Sequence, residues 1–192
     1  TNLTDLKREY ASDIKIYIGF EAEFIPEQMA DQDRLLSDYP VDYMIMGQHF
    51  TSPEPLSPYT GFGSDDVGEF KKYIDLIIEG MESGRYAYLA HPDLYNFTGS
   101  AEIWEAEYTR LCRYLSERDF PVEINLLGVR DGRHYTSERF LQIAASCGAK
   151  AVIGCDAHFP EALSEIEPMR KCRELAEKFG LPIIDFLEGM EG

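Results

Sequence analysis

The chain has 192 residues, 44% hydrophobic and 12% aromatic, enough to bury a core as one globular domain over residues 1–192 and too apolar for an unstructured chain. Eighteen Lys and Arg against 35 Asp and Glu give a formal net charge of -17, which repels a phosphate backbone and offers no counterion release, so a small substrate is expected rather than nucleic acid. The N-terminal residues do not resemble a signal peptide, and no apolar run approaches the roughly 20 residues that cross a bilayer, so a cytoplasmic protein with no membrane partner is expected.

In chain order, TNLTDLKREYAS sets Leu3, Leu6 and Tyr10 at helical spacing, and IKIYIG follows as a strand. The same unit recurs along the sequence. A helix over 27–36 precedes VDYMIMG, a helix over 65–82 precedes YAYLA, and a helix over 101–118 precedes FPVEIN. A helix over 137–147 then leads to AKAVIG, and a helix over 168–179 leads to LPIIDF. Ser64 and Ser100 stand where N-caps are wanted, and Gly84, Gly148 and Gly180 follow the last apolar-periodic residues of their helices. Val67, Phe70, Ile74, Ile77, Ile78 and Met81 make one apolar stripe, and Trp104, Tyr108, Leu111 and Leu115 make another, both expected to be core. Alternating helices and short apolar strands predict a parallel sheet covered by helices, open or closed into a barrel. The irregular stretch HFTSPEPLSPYTGFGS, with its prolines and glycines, is expected to be a functional loop. Cys112, Cys147, Cys155 and Cys172 form no CxxC pair, and reduced, buried thiols are expected.

The polar residues stand out on that map. Glu21 follows IKIYIGF, His49 follows YMIMGQ, His91 follows YAYLA, Asn125 ends PVEI, and Asp156 and His158 follow AVIG. Each lies at the C-terminal end of a strand, the edge at which parallel α/β folds bind ligands. Two carboxylates and three imidazoles form an oxygen and nitrogen set suited to zinc, manganese or iron. Any one of these residues alone has a plainer reading: a lone strand-end histidine as a hydrogen-bonded structural residue, and Asp156 with His158 as a cap for a helix at Pro160. It is the joint placement of three of the four histidines with two acids that points to a metal site. His134 lacks that placement and reads as a surface histidine, and Cys155 as a packing residue.

These stretches carry a resemblance. GFEAEF at 19–24, GQHF at 47–50, AHPDLYNF at 90–97, EINLLGVR at 123–130 and IGCDAHFPE at 153–161 occur in the order found in the PHP (polymerase and histidinol phosphatase) metallophosphoesterases. The EIN…GVR segment and the YTS helix start make the chain most similar to the histidinol-phosphatase branch. The resemblance implies a distorted (βα)7 TIM-like barrel that holds up to three divalent ions, here lacking its first two βα units. It implies that Glu21 bridges two ions, that His49 and His91 bind one of them, Asp156 the other and His158 a third, and that Arg130 binds substrate phosphate. The expected reaction is hydrolysis of L-histidinol phosphate to L-histidinol and phosphate. The alternatives are another small phosphate ester, or an inactive PHP module with a structural or partner-binding role. The family opens with H-x-H and D-H motifs that this sequence lacks, and the expectation is that the natural protein has further N-terminal residues.

Overall fold

The structure is a computed structural model that describes residues 2–187, 189 and 190. After helix α1 (Leu3–Glu9), strand β1 (Gly19–Ala22) pairs in parallel with β2 (Tyr43–Met46), with Glu21 opposite Ile45. Strand β3 (Val122–Asn125) pairs in parallel with β4 (Ala151–Gly154), with Asn125 opposite Gly154. Leu89 joins the two pairs, bridging to Met46 on one side and Val122 on the other, and Ile183 extends the far edge through Ala151. Consecutive segments of chain therefore lie side by side in one direction. The chain is a mixed α/β protein whose strands form an open arc, and among the described residues they close no barrel.

Between the strands run α2 (Met29–Leu36), α3 (Val67–Glu82), α4 (Ala101–Glu117), α5 (Leu126–Asp131), α6 (Glu138–Ser146) and α7 (Ile166–Phe179). Packing of α3 on α4, α4 on α6 and α6 on α7 covers the sheet. Helix α3 begins where Asp66 Oδ1 accepts from the Glu69 N–H at 3.0 Å, a cap worth about 1 kcal/mol. The N-cap is thus Asp66 and not Ser64; Ser64 pairs its backbone with Asn96 and Thr98 instead. The other expected caps hold, with Ser100 accepting from Ile103 and Gly84, Gly148 and Gly180 all at positive φ, and Ser137, which no cap expectation covered, accepts from Phe140.

The expected α3 stripe buries Phe70, Ile74, Ile77 and Met81, and Tyr73 and Leu76 widen it. Phe70 stacks on Phe97 at 4.6 Å between centroids and meets Tyr95 and Tyr108 at 5.2 and 5.3 Å, so one ring ties α3 to α4. Gly80 is needed where α3 crosses β2, because a Cβ there would lie 2.8 Å from both Met46 Cε and Phe24 Cβ. Cys112 and Cys172 are buried, Cys147 and Cys155 half-buried, and all four are free.

Three expectations shift. Residues 14–18 form no strand, since Ile14 is exposed and the Ile18 N–H is taken by the Asp42 side chain at 2.7 Å, so β1 starts only at Gly19. The YAYLA stretch joins the sheet through a few bonds, Met46 N–H to Tyr88 O at 3.0 Å and Ala90 N–H to Met46 O at 2.8 Å, rather than as a regular strand. Residues 126–131 form α5, the last four of them in the stretch GVRDGRHYTS at 128–137 that the sequence leads one to expect as a loop, because Asn125 Oδ1 accepts from the Gly128 N–H at 2.8 Å and starts a helical turn directly off β3.

Candidate metal centre

The strand ends open into a cleft of about 370 Å³ whose lining includes Glu21, His49, His91, Asp156 and His158. Glu21 is brought there by β1, and Gly47 leaves it room: a Cβ at Gly47 would overlap the Glu21 carboxylate. His91 Nε2 lies 3.0 Å and His49 Nε2 3.6 Å from Glu21 Oε1. The possible ligand atoms of Glu21, His49 and His91 all lie within 4.8 Å of one another, the one such group of three found among the described residues.

The surrounding groups are consistent with that use. Glu23 Oε1 stands 3.2 Å from His49 Nδ1, on the side of the ring away from Glu21. A carboxylate on one imidazole nitrogen fixes the tautomer that presents the other nitrogen to a metal. His91 is 3% exposed, and its Nδ1 is buried without a hydrogen-bond partner among the described residues. A hydrogen bond from His91 holds the Glu21 carboxyl below its usual range, against the opposing effect of burial. Burial pulls the His91 pKa down, but the Glu21 hydrogen bond and the charges of Glu123, Glu21 and Asp156 outweigh it, so His91 is raised. One carboxylate and two imidazoles, close together, with one imidazole oriented from behind, fit a divalent cation of the zinc or manganese type.

The remaining expected residues are placed differently. Asp156 Oδ2 accepts from Asn125 Nδ2 at 3.2 Å, and His158 Nδ1 is 3.4 Å from Asp156 Oδ1, its side chain 68% exposed. Both line the cleft but stand outside the group of three. Arg130 is not part of the cleft lining. Its Nε donates to Asp131 Oδ1 at 2.8 Å, its Nη1 lies 3.6 Å from Glu165 Oε2, and the guanidinium packs 4.9 Å over the ring of Phe159, next to His158. Arg133 does line the cleft and donates to Tyr135 Oη at 2.8 Å. Burial pushes the Tyr135 phenol up to about 12, so it stays protonated. His134 is exposed and donates to the Leu94 carbonyl at 2.7 Å.

The loop at 49–64 contributes Tyr59, whose ring stacks on His49 at 6.1 Å and is edged by Phe62 at 5.5 Å. Sequence reasoning missed Glu23, Tyr59, Arg133 and Tyr135. Only Glu23 had a clear signal, since it stands two residues from Glu21 and shares its face while the chain is extended.

Fold and cleft together define a class: an α/β protein with a candidate carboxylate and imidazole metal centre at the C-terminal ends of parallel strands. No model of a known protein family matches the chain. A "Probable histidinol-phosphatase" of Deinococcus radiodurans is 24% identical over 163 residues, covering 81% of this chain and 62% of that protein. One of Schizosaccharomyces pombe is 26% identical over 176 residues, covering 81% and 57%. The chain thus spans about three fifths of the length of these curated relatives. In fold it is similar to the crystal structure of a histidinol phosphate phosphatase from Lactococcus lactis, complexed with zinc, L-histidinol and phosphate. That match has a TM-score of 0.71 at 18% identity and covers 98% of this chain and 76% of that one. The chain is thus similar in sequence to two proteins named as probable histidinol phosphatases and in fold to the Lactococcus enzyme.

Proposed function

We propose that the cleft is the active site of a metal-dependent phosphomonoesterase and that its substrate is L-histidinol phosphate, hydrolysed to L-histidinol and phosphate. The observation that carries this reading is the convergence of Glu21, His49 and His91 within 4.8 Å. The curated relatives and the zinc, histidinol and phosphate bound to the Lactococcus neighbour supply the substrate. On this reading Asp156 and His158 complete the ligand set, and the open arc of strands is part of a PHP-type barrel in a single domain.

A bound divalent ion supplies Lewis acidity and a water acidified towards neutral pH. The chain's own residues do the rest. Glu21 presents its carboxylate between two imidazoles, and Glu23 keeps His49 turned with Nε2 towards the cleft. Arg133 brings a planar cationic fork to the cleft wall, matched to phosphate oxygens. Arg130 would join it by exchanging Asp131 and Glu165 for phosphate. Tyr59 and Tyr135 supply flat walls against which an imidazole can lie.

The test is phosphate release from L-histidinol phosphate by the purified protein with zinc or manganese, compared with chelator-treated protein and with other small phosphate esters. The expected result is metal-dependent release that prefers histidinol phosphate and falls at least tenfold in His91→Ala. Release unchanged by chelator sinks the metal reading. Equal release from all esters sinks the substrate assignment alone.

A further inference from the structure

Two side chains outside the expected ligand set form a connected run of hydrogen bonds beside the cleft. Glu123 and Asn125 stand two apart on β3, so they share a face, and they are 2% and 0% exposed. Glu123 Oε2 accepts from the His91 backbone N–H at 2.6 Å and from Asn125 Nδ2 at 3.0 Å. The same Nδ2 faces Asp156 Oδ2 at 3.2 Å. One connected pair therefore reaches a strand end on either side of β3.

The two residues it holds are those of the cleft with left-handed backbones. His91 has φ 32 and Asp156 φ 47, and neither is glycine. Such conformations persist where the surroundings determine them, and they cluster at functional sites. Gly154, opposite Asn125 on β4, leaves the space that the Glu123 carboxylate fills, for a Cβ there would overlap Oε1.

We infer that Glu123 and Asn125 are a positioning pair: Glu123 fixes the His91 backbone and Asn125 fixes the Asp156 carboxylate, so that both face the cleft at once. The inference rests on the reading of the cleft as a metal site and goes beyond it, since neither side chain need touch ion or substrate. Asn125 also caps α5 through Oδ1, which separates folding from positioning. Asn125→Ser retains a capping oxygen but is too short to reach Glu123 and Asp156.

The test titrates the full chain with Co(II), reading the d–d absorption, in the wild type, Asn125→Ser, Glu123→Gln and Glu123→Ala, with circular dichroism as the check on folding. The wild type is expected to bind. Asn125→Ser is expected to keep the wild-type circular dichroism while losing roughly 10- to 100-fold in Co(II) affinity and shifting the d–d band, the range typical of lost outer-shell partners. Glu123→Gln keeps an acceptor for the His91 N–H and is expected to bind more tightly than Glu123→Ala. A folded Asn125→Ser with wild-type affinity and spectrum overturns the role of Asn125. Equal affinity in the two Glu123 variants overturns that of Glu123, whatever Asn125→Ser does. A wild type that binds no Co(II) overturns the metal reading, and the pair with it.

Discussion

Asp93, two residues beyond His91, shows what a strand-end acid does when it is not turned to the cleft. It is 3% exposed, its Oδ2 accepts from the Ser137 N–H at 2.8 Å, and its Oδ1 has no partner among the described residues. Burial pushes its carboxyl up to about 6, against the Ser137 hydrogen bonds that lower it. The folded chain thus holds this proton more tightly than the unfolded chain, where Asp titrates near 3.8. The stability linked to it is fully present below about pH 3.8 and lost as pH rises through about 6, on the order of 3 kcal/mol. Asp93→Asn removes that titration and keeps an acceptor for Ser137. Thermal unfolding between pH 3.5 and 7 should show the variant gaining on the wild type until about pH 6 and then holding level; a constant difference across the range contradicts the assignment.

At this scale Glu21, His49 and His91 were legible because strand-end placement needs only the strand pattern. Glu123 was not, because besides Asn125 beside it, the partner that explains an acid within a four-residue buried strand is the His91 backbone N–H, 32 residues away. The choice between Arg130 and Arg133 was closed as well. It depends on the turn of α5 and on Gly132, whose φ of 62 reverses the chain between them.

Among the elements, α3 was the most legible, since 16 residues of helical periodicity leave little room for another structure, although its cap fell on Asp66 and not on Ser64. Phe70 is its anchor. Phe70→Ala removes the ring that stacks on Phe97 and meets Tyr95 and Tyr108, and it should cost about 3–5 kcal/mol, read from urea unfolding. A loss under about 1 kcal/mol would mean that the aromatic cluster closes over the gap, contrary to interiors packed at this density. The β4 end is the opposite case. Gly154→Ala must displace Glu123, so it should destabilise by about 1–3 kcal/mol and weaken metal binding with it. An alanine variant as stable as the wild type contradicts the packing of Glu123 against that strand. Strand edges were the least legible features: the apolar alternation of residues 14–18 reads as a strand, and only the tertiary contact with Asp42 shows otherwise.

Across the whole molecule, the net charge of -17 and an anionic substrate belong together only if the cleft is locally positive. On the proposed reading Arg133 supplies one such charge, and a divalent ion held by Glu21, His49 and His91 would supply the larger. The arc of parallel strands explains why those three residues, from three separate stretches of sequence, meet at one edge. No helix among the described residues is long and apolar enough to cross a membrane. The order of helices and strands could be read from periodicity, whereas the closeness of the three ligands could not, because it is fixed by sheet register and by Gly47. The most direct test is anomalous diffraction at the zinc edge from crystals of this chain grown with zinc. A peak at bonding distance from Glu21 Oε1, His49 Nε2 and His91 Nε2 is predicted, and zinc elsewhere in the crystal with no peak between these three atoms would contradict the metal centre.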